Sequence, residues 1–428
     1  MAEDSFDAIV VGAGPAGSAC AYALAKEGKS VLLVERGTRA GSKNVSGGRL
    51  YTYALEMLEP GMTARAPLQR KIVREQIMLL NATGATTIDY YNPAFGEQVP
   101  QSYSVVRAEL DEWFAAEVEA QGAVFASSIL VNGLIEENGK IVGIKTGDDD
   151  EEMRASIVIA ADGVNSLLGQ KAGLFSDVTP HAVGVGVKET IELPESVISA
   201  RFAVKNDEGA ARVAIGCTDG ISGGAFLYTN KDSISLGIVF NAEQAGQQKR
   251  HIQDIFQDFK MHPAVQALIE GGTSVEFGAH LVPEVGLHGI PKKLYREGFL
   301  VIGDAAQFGI NTGIVIRGMD LAIVSGIAAA RAVLKASDPS VAGPIYMQQL
   351  EELLLLANQR AYQNFHKIFD LPRIFGAYPN LANDAMQFLF TVDGKTPKPM
   401  IKGMLGVVKK HASFGQLAAD GWKAYRSL

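Results

Sequence analysis

Cysteine is nearly absent from this chain: 428 residues carry only Cys20 and Cys217, in neither a Cys-x-x-Cys nor a zinc-like array. An iron–sulfur cluster held by this chain alone through four thiolates is therefore excluded. A disulfide framework is not indicated either, which suits a reducing cytosol. Cys20 falls in an Ala-rich stretch and reads as a small buried apolar residue. Basic charge is also scarce, and a net charge of −8 argues against nucleic acid as a partner. Long apolar runs are missing: the longest apolar helical stretch, Leu321 to Leu334, is interrupted by Arg331 and is too short to span a bilayer. Only a short polar lead precedes the first apolar run, which leaves no room for a signal peptide. The expectation is a cytoplasmic protein, soluble or peripheral on the inner face of the membrane. The histidines show no metal-ligand spacing, and the acidic run Asp148 to Glu152 lacks the spaced ligands of a calcium loop, so no metal is expected.

What is present is a folded composition, 47% hydrophobic and 20% charged, long enough for two or three domains. The first forty residues organise the rest. An apolar run, Phe6 to Val11, is followed by Gly12, Gly14 and Gly17, then an Ala-rich stretch, then Val31 to Val34 ending in Glu35. That order reads as strand, tight turn, helix, strand, the form of a dinucleotide-binding βαβ unit. Gly12 permits the sharp turn, Gly14 lets backbone N–H groups approach a pyrophosphate, and Gly17 allows the helix to pack closely on the strand. The helix beginning at Pro15 and Ala16 points its positive end at the phosphates. Glu35 follows at close to the spacing at which a carboxylate accepts hydrogen bonds from ribose hydroxyls. This motif leaves FAD and NAD both open.

A Gly/Ser-rich basic loop, Arg36 to Leu50, then precedes a helix predicted over 53–58, and its amides with Lys43 or Arg49 suit an anionic cofactor. Strands are expected between 76 and 91, a helix over 108–121 after Arg107, short strands at 122–125 and 128–131, and a hairpin turning at Asn138-Gly139. A buried-strand pattern at 156–161 delivers Asp162-Gly163, and a second at 298–302 delivers Gly303-Asp304. Between them, from about His181 to His280, short alternating runs predict a largely antiparallel sheet with a helix near 252–259. A glycine-rich loop through Asn311, Gly313 and Arg317 leads to a helix over 319–335, and the chain reads as helical from Pro344 onward. The fold class is thus α/β plus α+β. A discontinuous Rossmann-type domain is expected from 1–75, 104–178 and 285–343, an antiparallel-sheet domain from 76–103 and 179–284, and a helical region over 344–428.

Three separated signals, the N-terminal fingerprint, Ala161-Asp162-Gly163 and Ile302-Gly303-Asp304-Ala305-Ala306, together resemble the FAD-binding architecture of the flavoprotein hydroxylase superfamily. Within it, Lys43-Asn44-Val45-Ser46-Gly47-Gly48-Arg49-Leu50, the segment Phe226 to Ser233 and the segment Arg317 to Ala322 resemble the FixC family, which is related to electron-transfer-flavoprotein:quinone oxidoreductase. The resemblance implies FAD as cofactor, electrons accepted from an electron-transfer flavoprotein, and their delivery to a membrane quinone, in one arrangement as a subunit of an electron-bifurcating complex. It also implies a separate small ferredoxin-like iron–sulfur subunit, because the cluster domain of the larger quinone oxidoreductases has no counterpart here. Carried over by position, the FAD-facing residues are Gly12, Gly14, Pro15, Ala16, Gly17, Glu35, Arg36, Lys43, Ser46, Gly47, Gly48, Arg107, Asp162, Gly163, Gly303, Asp304, Asn311 and Gly313. Gln307 stands where relatives often have glycine.

No protein nucleophile, acid or base is expected, since the flavin carries the chemistry. Phe226, Tyr228 and Phe308 are candidates to border a quinone pocket, with ordinary core packing as the other reading. Arg317 reads equally as a flavin-facing cation and as a solvated residue at a helix start. Two mixed apolar and basic segments, 368–378 and 400–410, are candidates for a membrane surface or a partner. The competing functions are a flavin-dependent isoprenoid reductase or hydroxylase on the same fold, and a non-catalytic assembly or electron-relay subunit.

Overall fold

The computed structural model describes residues 5–43, 47–97, 101–147, 151–175, 179–205 and 207–428. Ser46 and most of the acidic run, 148–150, lie outside them. Five strands form a parallel sheet in the spatial order Val124–Ala126, Val31–Val34, Ser5–Val11, Glu151–Ala160 and Phe299–Val301, with Tyr295–Arg296 antiparallel at the edge. The inner strands are apolar and buried over their C-terminal halves, Ala8–Val11 and Ile157–Ala160, and Val31–Val34 is so throughout, as parallel strands covered on both faces must be. Helices Pro15–Lys26 and Met319–Lys335 pack against each other beside this sheet. A Cβ on Gly326 would lie 2.3 Å from the Ala16 carbonyl oxygen, so only glycine permits that approach.

Register explains why distant motifs meet. Val11 pairs with both Val34 and Ala160, and Ala160 pairs with Val301. The strands therefore end in one row, and the residues that follow them, Gly12, Glu35, Asp162 and Gly303-Asp304, emerge on one rim. Ligands of open parallel sheets bind at that edge.

The hairpin Val131–Glu137 with Lys140–Thr146 attaches antiparallel to the start of Glu151–Ala160, and Asn138 and Gly139 both take positive φ at its turn. The helix expected at 108–121 runs Arg107–Ala120. The short strand expected at 128–131 does not form. Ser128 takes φ 60°, and its N–H and that of Ile129 donate to the Gly37 and Glu35 carbonyls, so the segment is used as a crossing loop.

A second sheet of nine strands is antiparallel except for one pair, Glu208–Ile215 with Lys71–Leu80. Its order is Thr273–Pro283, Val183–Glu192, Ser233–Asn241, Gly223–Thr229, Glu208–Ile215, Lys71–Leu80, Ser102–Val105 and Gly48–Tyr51, with Ala85–Tyr91 on Lys71–Leu80. The strand Lys71–Leu80 runs across residue 75, one of the bounds expected from the sequence. Helices Ile252–Met261 and Pro263–Ile269 bury Ile255, Phe256, Phe259 and Val265 against this sheet's core.

Beyond Gly343 the chain is helical: Gly343–Glu352, Leu355–Ala361, Ala377–Phe390, Met400–His411 and Phe414–Tyr425. The last helix is tied back by Asp420, which accepts from Arg373 Nε and Nη2 at 2.6 and 2.7 Å and from Tyr378. Met400–His411 is held by Asp384, which accepts from Lys410 and His411 at 2.6 and 2.8 Å.

Candidate functional site

The turn after the first strand is built for a phosphate. Gly12 has φ +108°, and a Cβ there would lie 2.3 Å from the Ala161 carbonyl oxygen; a Cβ on Gly17 would lie 1.9 Å from the Gly12 carbonyl oxygen. Gly14, the N-cap of Pro15–Lys26, has no side-chain cap, so the first-turn amides have no side chain competing for them. The Gly14 Cβ position is open except for Arg107 Nη2 at 3.8 Å. Arg107 is aimed by Asp111, which accepts from Nε and Nη2 at 3.0 and 2.8 Å. Glu35 accepts from the Ala13 and Gly37 N–H groups at 3.1 and 2.7 Å, which fixes a carboxylate at the neighbouring strand end.

Asp162 and Asp304 complete the rim. Asp162 Oδ2 accepts from Leu168 N at 2.9 Å, while its buried Oδ1 has no protein partner. Burial raises the Asp162 carboxyl above the ordinary range, opposed by backbone N–H groups and Arg36. Burial likewise raises Asp304, opposed by Arg107 and Lys188. Gly303, at φ +63°, lies against Ala16, whose Cβ would be 2.7 Å from a Cβ there. An acceptor left over at Asp162, an open glycine cradle and a cation beside it form a donor and acceptor set that fits a dinucleotide with hydroxyls at one end and phosphates in the middle.

The remaining expected residues divide. Gly163 has open space around it, and Arg36 and Lys43 are exposed near the rim. Gly47 leaves room for Ser235 of the second sheet and Gly48 for Met319 at the start of the helix Met319–Lys335. Arg49 is committed to Glu75 and Ser102 rather than free for a phosphate. Arg317 is neither solvated nor unpaired: Asp320 accepts from its Nε at 2.8 Å, and Asn358 and the Tyr53 hydroxyl accept from its other nitrogens. Gln307 takes φ 61° and donates to the Val164 and Asp304 carbonyls, so it occupies a left-handed position that glycine adopts without strain.

Lys188 carries no motif and went unread in the sequence. It sits in Val183–Glu192 and lies near Arg107 and Asp304. Burial, with Arg107 adding to it, pushes its ammonium down to about 8.

A cavity of about 250 Å³ lies between the second sheet and the C-terminal region. Phe226 and Val239 form its floor, Ile314, Phe369 and Phe375 its far walls, and Asn311 and Gly313 its side nearest the strand-end rim. Tyr228 stacks behind Phe226 at 5.2 Å and does not line it; Phe308 is fully buried in the core of the parallel-sheet layer. Residues Ile368, Phe369, Ile374 and Phe375, from one of the two segments considered for a membrane surface or a partner, are part of the cavity wall.

The protein is therefore a flavoprotein of the FAD-binding α/β class. The FAD binding domain model matches residues 5–210, the ubiquinone-binding model of electron-transfer-flavoprotein:quinone oxidoreductases matches 183–282, and the C-terminal domain model of the same oxidoreductase and FixC family matches 365–428. Protein FixC of Salmonella typhi is 45% identical over 435 residues, covering all of both chains. The probable electron transfer flavoprotein-quinone oxidoreductase YdiS of Escherichia coli K12 is 42% identical over 437, again covering both. The chain belongs to the FixC and electron-transfer-flavoprotein:quinone oxidoreductase family and is an FAD-dependent oxidoreductase. Among solved structures, a geranylgeranyl bacteriochlorophyll reductase-like protein of Thermoplasma acidophilum superposes with a TM-score of 0.68 at 20% identity, covering 96% of this chain and 97% of that one. The flavin-dependent halogenase CmlS superposes at 0.65 and 17% identity, covering 98% and 70%. These two share the fold.

Proposed function

We propose that this chain takes electrons from an electron-transfer flavoprotein and passes them to a membrane quinone. The observation that carries the reading is the apolar cavity whose near side is the Asn311–Gly313 loop, within one loop of Asp304 at the strand-end rim. The amides of the Gly12 to Gly17 turn would hold the FAD pyrophosphate, Glu35 its ribose hydroxyls, and Asp162 and Asp304 its remaining hydroxyls. Bound there, FAD supplies reversible electron-pair chemistry. Arg107 and Lys188 supply positive charge beside it, which favours whichever redox state carries the more negative charge. Cys20 is buried and Cys217 half-buried, and desolvation raises both thiols, Cys217 to about 12. Cluster chemistry accordingly falls to a separate ferredoxin-like subunit, the arrangement of an electron-bifurcating assembly.

Membrane contact is assigned to the segment from Phe390 to Leu405. Phe390, Val392, Met400 and Ile401 are 80, 95, 67 and 78% exposed, beside the exposed Lys398 and Lys402. An apolar edge flanked by lysines suits anionic headgroups. No helix among the described residues is long and apolar enough to cross a membrane. Two measurements test the proposal. FAD-loaded protein reduced by an electron-transfer flavoprotein should be reoxidised rapidly by a quinone analogue; inertness to quinone with turnover of an isoprenoid alkene would replace the reading. The protein should float with anionic vesicles and lose at least about thirtyfold in partition when Lys398 and Lys402 become glutamate, since each basic residue contributes about 1 kcal/mol at an anionic surface. Failure to float with or without partner subunits would remove the membrane assignment.

A further inference from the structure

Two carboxyls line the apolar cavity, Glu284 and the exposed Asp370. Glu284 follows directly on the strand Thr273–Pro283 and lines both the large cavity and a water-sized one of about 10 Å³ beside it. Its N–H donates to the Ala182 carbonyl, and its carboxylate lies beside Gly184, whose missing side chain leaves the space: a Cβ there would be 2.5 Å from Glu284 Oε1. Asn241, on the adjacent strand, also lines the large cavity. The Asn241 amide is already engaged, donating to the His181 carbonyl and accepting from Gln244 N.

The other titratable groups around these cavities are few. His181 is exposed and sits 3.3 Å from Glu243, Asp370 is exposed, and Tyr362 and His366 line the small cavity opposite Glu284. No lysine or arginine is among the described residues that line either cavity. With no cation to hold it ionised, burial pushes the Glu284 carboxyl up to about 7, against a weaker opposing hydrogen bond from Asn241. His366 reaches outward: its ring meets His288 edge-on at 4.8 Å, and its Nδ1 is 3.0 Å from the Gln363 carbonyl oxygen.

We propose that Glu284 is the proton donor to the substrate in this cavity, resupplied from solvent through the small cavity and His366. The proposal rests on the quinone reading. Reduction of a quinone to its quinol takes two electrons and two protons. FAD bound at the strand-end rim would supply the electron pair and one proton. The second proton leaves the Glu284 carboxyl for a quinone carbonyl oxygen, forming the O–H bond and leaving a carboxylate, which regains a proton by way of His366. An apolar site needs such a donor, because charge formed on the quinone oxygen has no water around it.

The test uses the full-length, FAD-loaded protein with a soluble quinone analogue. In the wild type, stopped-flow reoxidation of reduced flavin should slow about tenfold per pH unit above about pH 7, as the acid form is lost. Glu284→Gln should slow it about 100-fold and abolish that slope, while the affinity for the analogue, followed by quenching of flavin fluorescence, changes less than about threefold. Infrared difference spectra should show one protonated-carboxyl band titrating near pH 7 that is missing in Glu284→Gln. Reoxidation of Glu284→Gln at the wild-type rate and slope would overturn the proposal. If that variant does not fold, the wild-type infrared titration decides: no carboxyl titrating near neutral pH overturns it equally. A wild type that neither binds nor reacts with the quinone analogue overturns the quinone reading itself, whereas a reactive wild type with an unaffected variant overturns only the role of Glu284.

Discussion

Gly17→Ala is expected to purify colourless, with FAD affinity lowered by at least a hundredfold. The added methyl would stand 1.9 Å from the Gly12 carbonyl oxygen and 3.2 Å from the Ala161 Cβ, all of them backbone or short rigid groups. Relief requires the first helix to move away from the strand by more than about 1 Å, since non-bonded heavy atoms settle near 3.5–4.0 Å. Overpacking of that kind costs about 1–3 kcal/mol in stability. The larger effect falls on the cofactor, because the same movement withdraws the amides after Gly14 from the pyrophosphate. Each hydrogen bond to a charged group is worth about 1.5–3 kcal/mol, so losing two gives about 10² to 10⁴ in affinity. Gly28→Ala is the control: Gly28 lies just beyond the same helix at φ +77°, with nothing within 4 Å of its Cβ position. It should lose about 1 kcal/mol of stability and keep its flavin. Absorbance at purification and FAD titration of both variants check this. A Gly17→Ala protein carrying a full complement of FAD would sink the cradle described for the turn.

Local chemistry accounts for what could be read ahead of the structure. The strand, turn and helix from Phe6 to Glu35 are specified within forty residues, and buried strands that end in Asp162 and Asp304 announce themselves by their unbroken apolar pattern. Convergence of the acids then follows from parallel register alone. Pairings set by long-range packing were not legible. Nothing in Lys71–Leu80 tells that it will lie parallel to Glu208–Ile215, more than a hundred residues away. Lys188 and Glu284 share one cause of invisibility. Each is a charged residue in or just after an alternating strand, where the ordinary expectation is a solvated side chain, and only the packing of one sheet against the other layers turns them inward. Phe308 shows the converse: an aromatic beside the cofactor motif is as readily core as pocket wall, and here it is core. Segments that carry the family resemblance also divide between chemistry and architecture. Arg317 and Asp320 close a network with Tyr53, and the turn Asn230 to Ser233 serves a buried arginine.

That arginine is Arg70, and Arg70→Met should be the most destabilising single substitution in the second sheet, by about 3–5 kcal/mol. Its side chain is fully buried, yet among the described residues no carboxylate oxygen comes closer than Glu195 Oε1 at 3.8 Å. All five of its N–H groups are used on neutral oxygens: Nε donates to the Asn230 carbonyl at 2.6 Å, Nη1 to Ser199 Oγ at 3.0 Å and the Glu208 carbonyl at 3.2 Å, and Nη2 to the Glu195 and Lys231 carbonyls at 3.3 and 3.1 Å. The planar fork thus joins the start of one strand, the turn of a hairpin, the first residue of another strand and a helix at a single point. Methionine fills part of the volume but leaves several buried acceptors without donors, each costing about 1–3 kcal/mol with some relief from water and relaxation. Lysine brings three donors diverging from one atom, so Arg70→Lys should recover less than half of the loss. Against a total stability of about 5–15 kcal/mol, the methionine variant stands close to unfolding. Its hairpin is the one that carries Phe226 in the cavity floor, so the folded fraction should also bind a quinone analogue more weakly. Urea midpoints of the FAD-loaded variants measure the effect. A methionine variant within 1 kcal/mol of the wild type would mean that the hairpin, not the arginine, holds this corner of the sheet.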